Sequence, residues 1–245
     1  MKKYGLIGKT LRHSWSPQWF NGMFARCGIA DAEYNLYEME NPGDLHRWVE
    51  ECGIAGFNVT IPFKESVVPQ MDRCDAAVQA IGAVNCVECR DGFLIGHNTD
   101  APAFGQTLEP LLRPWHTSAL VLGTGGAAKA VGHALHVLGI GYTFVSRNPE
   151  QHPSAVSYHT AMQEVDSRLL IVNATPVGMF PDIDSSPWPW PQLLSSRHLC
   201  YDLVYNPSPT LFLQQAASAG AATLGGLAML HRQAELSWQI WKQKS

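Results

Sequence analysis

Residues 119–131 read ALVLGTGGAAKAV. The run Ala119 to Leu122 is apolar throughout, and it stops at Gly123. Small, helix-tolerant residues resume at Gly126. The run reads as a buried strand and Gly126 to Leu138 as a helix, joined by a loop in which Gly123, Gly125 and Ala128 fit G-x-G-x-x-G/A. Few folds accommodate a strand that enters a helix through so short a loop, and the parallel βαβ unit is the chief one. There Gly123 permits the tight turn, Gly125 lets the backbone approach a pyrophosphate, and Ala128 lets helix and strand pack closely. The unpaired N–H groups and dipole of the helix start attract phosphate. Gly123, Thr124, Gly125, Gly126 and Ala127 are therefore the expected dinucleotide loop.

The following strand, Tyr142 to Ser146, runs into Ser146-Arg147-Asn148. A site for NAD normally ends this strand in Asp or Glu, which hydrogen-bonds the ribose 2′-hydroxyl. Here Arg147 suits a 2′-phosphate, and no carboxylate stands where it would repel one. Glu150 lies further on. The pattern predicts NADP over NAD.

Strand and helix patterns alternate along the rest of the chain, which predicts mostly parallel sheets with right-handed crossovers. Expected strands are Tyr4 to Gly8, Glu33 to Met39, Gly56 to Ile61, Leu169 to Asn173, Cys200 to Val204 and Ala222 to Leu224. Ser16-Pro17 opens a helix to about Cys27, with Ser16 as N-cap and Pro17 at the first helical position. Further helices are expected over Pro42 to Cys52, Cys74 to Ile81, Ala101 to Leu112, Thr210 to Ala219 and Leu227 to Lys242. Ala83 to Cys89 and Phe93 to Gly96 form an antiparallel pair around Asp91-Gly92, a favoured hairpin dipeptide. SPWPWP (186–191) reads as a surface loop. The rhythm becomes more regular near residue 100. Two α/β domains follow: 1–99, completed by a C-terminal helix over 226–245, and a Rossmann-like domain over 100–225.

Composition limits the partners. Hydrophobic residues make up 46% and charged residues 16%, with net charge -4 and no Lys/Arg run, which argues against nucleic acid and anionic membrane. No apolar stretch reaches roughly eighteen residues, and the N-terminal one is too short for a signal peptide. Six scattered cysteines read as reduced thiols of a cytoplasmic protein. Cys86 and Cys89 fit C-x-x-C, but on a strand positions i and i+3 face opposite sides. The histidines show no metal-ligand spacing, so no metal is expected.

One further stretch, FNVTIPFKES (57–66), places a lone lysine just past a strand-like run. Together with GLIGKTLRHSWSP, IGAVNC, IGHNTDA, the glycine loop, VSRN, NATPVGM, YDLVYNP and GLAMLHRQA, in that order and spacing, it resembles the shikimate dehydrogenase family over nearly the whole chain. The resemblance implies NADP-linked interconversion of 3-dehydroshikimate and shikimate, with the active site in a cleft between two α/β domains. It implies a monomer or homodimer acting on a small molecule.

The resemblance assigns Lys64 and Asp100 as the catalytic pair. A carbonyl that receives hydride becomes an alkoxide and needs a proton donor and positive charge beside it. It assigns Ser14 and Ser16 to the substrate carboxylate. Thr60, Asn85, Tyr205 and Gln233 are assigned to the rest of the substrate. It places Ala174, Thr175 and Pro176, Leu203 and Gly226 on the nicotinamide side. Gly226 and Gln233, about 10 Å apart along one helix face, would let that helix touch both ligands. Two positions depart from the family pattern. Ala228 replaces a common second glycine, and Ser146 and Asn148 flank an arginine usually set between asparagine and threonine. A quinate-active, NAD-using relative and a catalytically silent sensor on the same fold are the rival readings.

Overall fold

The computed structural model describes residues 1–12 and 14–243. His13, inside the first matching segment, and the last two residues lie outside the described part. The chain divides into two compact units, Met1–Pro102 with His231–Ser245, and Ala103–Leu230.

The first unit is built on β1 (Lys2–Gly8), α1 (Ser16–Arg26), β2 (Ala32–Glu38), α2 (Leu45–Cys52), β3 (Ile54–Val59), β4 (Arg73–Cys74), α3 (Ala76–Ile81), β5 (Cys86–Arg90) and β6 (Phe93–His97). Its six-stranded sheet has the order β2-β1-β3-β5-β6-β4. β1 pairs parallel with β2 and β3, β5 runs antiparallel to both its neighbours, and β4 is parallel to β6. Alternation along the strands sorts the apolar residues onto two faces. Tyr4, Leu6 and Tyr34 face a cluster with Phe20, Phe24 and Trp241, while Ile7, Phe57 and Val59 face one with Leu45, Phe63 and Val67. The β5–β6 hairpin turns at Asp91 (φ 52°) and Gly92 (φ 81°), the two left-handed residues that a tight primed turn requires.

Leaving β6 the chain enters α4 (Asp100–Leu108), which continues as a short 3-10 turn over Glu109–Leu111, where Pro110 can supply no N–H. The second unit then adds β7 (Ser118–Leu122), α5 (Gly126–Val137), β8 (Gly141–Ser146), β9 (Ala155–Ser157), α6 (Tyr158–Gln163), β10 (Leu170–Asn173), β11 (Leu199–Asp202), α7 (Leu211–Ser218), β12 (Ala222–Gly225) and the first turn of α8 (Leu227–Trp241). All strand pairs here are parallel, in the order β12-β11-β10-β7-β8-β9. Read from β9, this is the 3-2-1-4-5-6 order of the dinucleotide-binding fold, with the reversal between β7 and β10. The α/β architecture expected from the sequence is therefore present.

Three local expectations change. Ser16 is the first helical residue of α1 rather than its cap; Trp15 holds the cap position without a side-chain bond, and the Ser16 N–H donates to Ser14 Oγ at 3.3 Å. β9 and the start of α6 occupy the link from Asn148 to Thr160, which reads in the letters as a brief connection. Cys74, expected to open a helix, lies instead in β4, which spans only Arg73–Cys74. Strands this short carry no readable period.

Candidate functional site

In the first unit, the chemistry-bearing residues gather along one edge of the sheet. β1 and β3 end there, β6 ends there, and the antiparallel β5 starts there. This edge therefore collects Ser14 and Ser16 after β1, Thr60 and Lys64 after β3, Asn85 before β5, and Asp100 after β6. Backbone bonds tie these ends together. Thr60 N–H donates to Ile7 O at 3.0 Å, Val59 N–H to Asn85 O at 2.9 Å, and Asn85 N–H to His97 O at 3.1 Å.

Lys64 sits on a single helical turn closed by Val67 N–H to Phe63 O at 3.1 Å, with Phe63 and Val67 buried on either side of it. Its own carbonyl accepts from Val84 N–H at 2.7 Å. Burying those two neighbours leaves one direction for the lysine stem, along the sheet edge. Its Nζ donates to Asp100 Oδ2 at 2.7 Å, with side-chain exposures of only 17% and 8%. A charge pair this enclosed is held by further bonds, as burial demands. Asp100 Oδ1 accepts from Asn85 Nδ2 at 2.9 Å.

Asn85 is fully engaged by protein. Its second amide hydrogen goes to Thr99 Oγ1 at 2.9 Å, and its Oδ1 accepts from Thr99 N–H at 2.6 Å. Asn98 secures the turn that launches α4: its Nδ2 donates to Ala83 O at 2.9 Å and its Oδ1 accepts from Ala101 N–H at 3.1 Å. From Thr99 the bonds continue inward to Ser237 on α8 and then to Asn58, whose Nδ2 donates to Ser237 Oγ at 2.9 Å and to Asn85 O at 3.0 Å. Tyr34 donates its phenolic proton to Asn58 Oδ1 at 2.9 Å. Burial raises the pKa of this phenol well above the ordinary range, and a hydrogen bond from Ser16 partly offsets it. One chain of buried polar groups thus leads from Ser16 to the Lys64–Asp100 pair.

Among the described residues, no group of three or more His, Cys, Asp or Glu is disposed to hold a metal, and all six cysteines are free thiols. The buried Cys86 thiol is raised beyond the range of a reactive thiol. No helix among the described residues is long and apolar enough to cross a membrane.

In the second unit the expected cofactor residues also fall on one edge, the carboxyl ends of successive parallel strands. Ser146 ends β8, and Arg147 and Asn148 follow it. Gly123 to Ala127 follow β7. Ala174 and Thr175 follow β10, Leu203 follows β11, and Gly226 follows β12. The point of strand reversal, where such sheets bind ligands, lies between the second and third of these groups. Gly123 has φ 111°, and a Cβ there would lie 3.1 Å from Thr175 Cγ2. Gly125 has the opposite surroundings: a Cβ would meet nothing within 4 Å. It holds the cap position of α5, a helix start with no side-chain cap. An uncapped helix start beside open space fits a pyrophosphate, and the exposed Arg147 fits a ribose phosphate.

Behind this edge, Asn173 Oδ1 accepts from Thr175 N–H at 3.0 Å and Thr175 Oγ1–H at 2.6 Å, while its Nδ2 donates to Asp202 Oδ1 at 2.8 Å. Asp202 also accepts from Val204 N–H at 2.9 Å and Thr210 Oγ1–H at 2.6 Å. Burial nevertheless pushes its carboxyl up to about 6, against the pull of those three donors.

Gly226 differs from its expectation. It precedes α8 instead of lying within it, and its carbonyl accepts the Leu230 N–H bond at 2.9 Å. A Cβ at this position would collide with the Leu203 carbonyl oxygen. Close backbone packing alone therefore demands glycine here. Tyr205 and Gln233 are half-buried. Sequence reasoning passed over Tyr34, Thr99 and Ser237. For Ser237 a signal exists: it is a polar residue inside the stripe of Ala234, Trp238 and Trp241 that faces the core.

Comparison with known proteins is consistent across sequence and structure. Residues 6–87 match the family model for the shikimate dehydrogenase substrate binding domain. A shikimate dehydrogenase (NADP(+)) of Desulforamulus reducens is 36% identical over 97% of this chain and 88% of its own length. The crystal structure of the Thermus thermophilus shikimate 5-dehydrogenase, in complex with NADP(H) and shikimate, aligns with a TM-score of 0.89 at 32% identity, covering 99% of this chain and 94% of that one. A quinate dehydrogenase from Corynebacterium glutamicum in complex with NAD aligns with a TM-score of 0.88 at 26% identity, covering 98% and 93% of the two chains.

Proposed function

The chain belongs to the shikimate dehydrogenase family, and from that premise we propose that it is an NADP-dependent oxidoreductase interconverting 3-dehydroshikimate and shikimate. This is a cytoplasmic step toward aromatic amino acids. The observation that carries the reading is the enclosed Lys64–Asp100 pair, set on the same sheet edge as Ser14, Ser16, Thr60 and Asn85. The first unit takes the substrate and the second the dinucleotide.

The nicotinamide of bound NADP supplies or accepts the hydride at the carbon that carries the reacting oxygen. The chain's own groups handle everything else. Lys64 has three N–H donors and commits one to Asp100, so two remain for the substrate oxygen. In the reducing direction they stabilise the developing alkoxide and deliver its proton. Asp100 fixes the ammonium in place, and Asn85 fixes Asp100. Ser14 and Ser16 donate to the ring carboxylate, and Thr60, Tyr205 and Gln233 hold the hydroxyls. Gly123 to Ala127 take the pyrophosphate with backbone N–H groups, Arg147 takes the 2′-phosphate, and Ala174, Thr175, Leu203 and Gly226 border the nicotinamide.

The test is direct. Purified protein with shikimate and NADP should reduce the nicotinamide, read by its near-ultraviolet absorbance. No turnover at any pH would leave a ligand-sensing protein instead. The likeness to an NAD-bound quinate dehydrogenase favours one other reading, quinate oxidation with NAD. Turnover measured for both acids with both nucleotides separates the two, and shikimate with NADP should give the largest kcat/KM. Sedimentation of the same protein distinguishes monomer from homodimer.

A further inference from the structure

Donor counting along the buried polar chain shows that its bonds have one consistent direction. Ser237 has a single hydroxyl proton, and it goes to Gln233 O at 2.9 Å. Ser237 Oγ can then only accept, from Asn58 Nδ2 at 2.9 Å and from Thr99, whose Oγ1 lies 3.3 Å away. The Thr99 proton is thereby committed to Ser237, and Thr99 Oγ1 is left as an acceptor. It accepts one amide hydrogen of Asn85, and the other goes to Asp100 Oδ1. A flipped Asn85 amide would set its oxygen against the Asp100 carboxylate and its NH2 against the Thr99 backbone N–H. These groups are almost wholly buried: Ser237 0%, Thr99 2%, Asn85 2% and Asp100 6% exposed. Water has little access with which to replace a lost partner.

We propose that Thr99, oriented by Ser237, is a positioning residue for the Lys64–Asp100 pair. It holds the Asn85 amide in the one orientation that donates to Asp100, and so aims the carboxylate that anchors the lysine. The inference rests on the reading of Lys64 and Asp100 as the proton-handling pair. It gives the C-terminal helix a second duty besides carrying Gln233. The same turn of α8 that presents Gln233 spends the Gln233 carbonyl on Ser237. Displacing this turn would therefore disturb the substrate ligand and the anchored carboxylate together.

The experiment is steady-state kinetics of Thr99→Val, Thr99→Ser and Ser237→Ala beside Lys64→Ala, each with its thermal midpoint. Valine keeps the shape of Thr99 and deletes its hydroxyl. Thr99→Val should lower kcat roughly 10–100-fold, the usual scale for losing a group that orients a reacting one, and leave KM for NADP unchanged. Thr99→Ser, which retains the hydroxyl, should restore kcat. Ser237→Ala should lower kcat in the same way by less, and it carries the test alone if Thr99→Val does not fold. Wild-type kcat in Thr99→Val or Ser237→Ala, with Lys64→Ala inactive, would overturn the positioning role and leave the function standing. An active Lys64→Ala would remove both.

Discussion

Lys64 Nζ and Asp100 Oδ2 meet at 2.7 Å across thirty-six residues of chain. Neither residue is carried on a strand. Each follows the end of one, β3 and β6, and the intervening β5 reverses direction so that Asn85 enters the same corner. Strands that end on a shared edge deliver loop residues to one place while the pleated backbone stays rigid behind them. The pair is therefore preorganised by the sheet, before any ligand contributes.

Lys64→Ala removes the only proton donor assigned to the reacting oxygen. Turnover should fall about 10²–10⁴-fold, the range for a general acid–base group, while dinucleotide affinity measured by fluorescence is preserved. A variant that keeps most of its turnover would show the proton passing elsewhere.

Arg147 is exposed after β8, with no carboxylate at its neighbouring positions. Its guanidinium also acts on the partly buried Tyr158 phenol, lowering a pKa that burial raises. Substituting Arg147 by Ala should raise KM for NADP far more than KM for NAD. Equal increases would reject the 2′-phosphate assignment.

Gly226 and Gly125 should respond oppositely to alanine. At Gly226 a methyl runs into the Leu203 backbone, which cannot yield as a side-chain tip could. Gly226→Ala should cost about 1–3 kcal/mol, typical of overpacking, and appear as a lower urea midpoint with unchanged slope. Gly125→Ala enters open space and should keep the midpoint, while its methyl raises KM for NADP. Loss of stability in Gly125→Ala would contradict this division.

Asp202 makes stability depend on acidity in a stated direction. Its carboxyl rises from an ordinary 3.8 to about 6 on folding because burial disfavours the charge. Between those values the folded chain keeps a proton that the unfolded chain has released. The associated stability is present at low pH and is lost as pH rises through about 6. Urea unfolding at successive pH values should show this contribution in the difference between wild type and Asp202→Asn. A difference that does not change with pH would place the carboxyl at its ordinary value.

The letters determined whatever depends on neighbours along the chain. The apolar run before Gly123, the glycine spacing and the small residues after it require a strand, a tight turn and a helix, because those conformations are selected by local sterics and burial. Asp91-Gly92 marks its hairpin for the same reason, and the absence of a carboxylate around Arg147 is visible without a structure. Tertiary structure alone decided which hydrogen bonds close. Nothing near Ser237 in the chain indicates that its hydroxyl stands between Asn58 and Thr99, and nothing near Gly226 announces the Leu203 carbonyl that excludes a methyl. Asn85, which the resemblance assigns to the substrate, spends both its amide hydrogens within the fold, on Thr99 and Asp100. Periodicity shows which face a side chain occupies, but the partner on that face comes from another strand or helix, and only packing brings the two together.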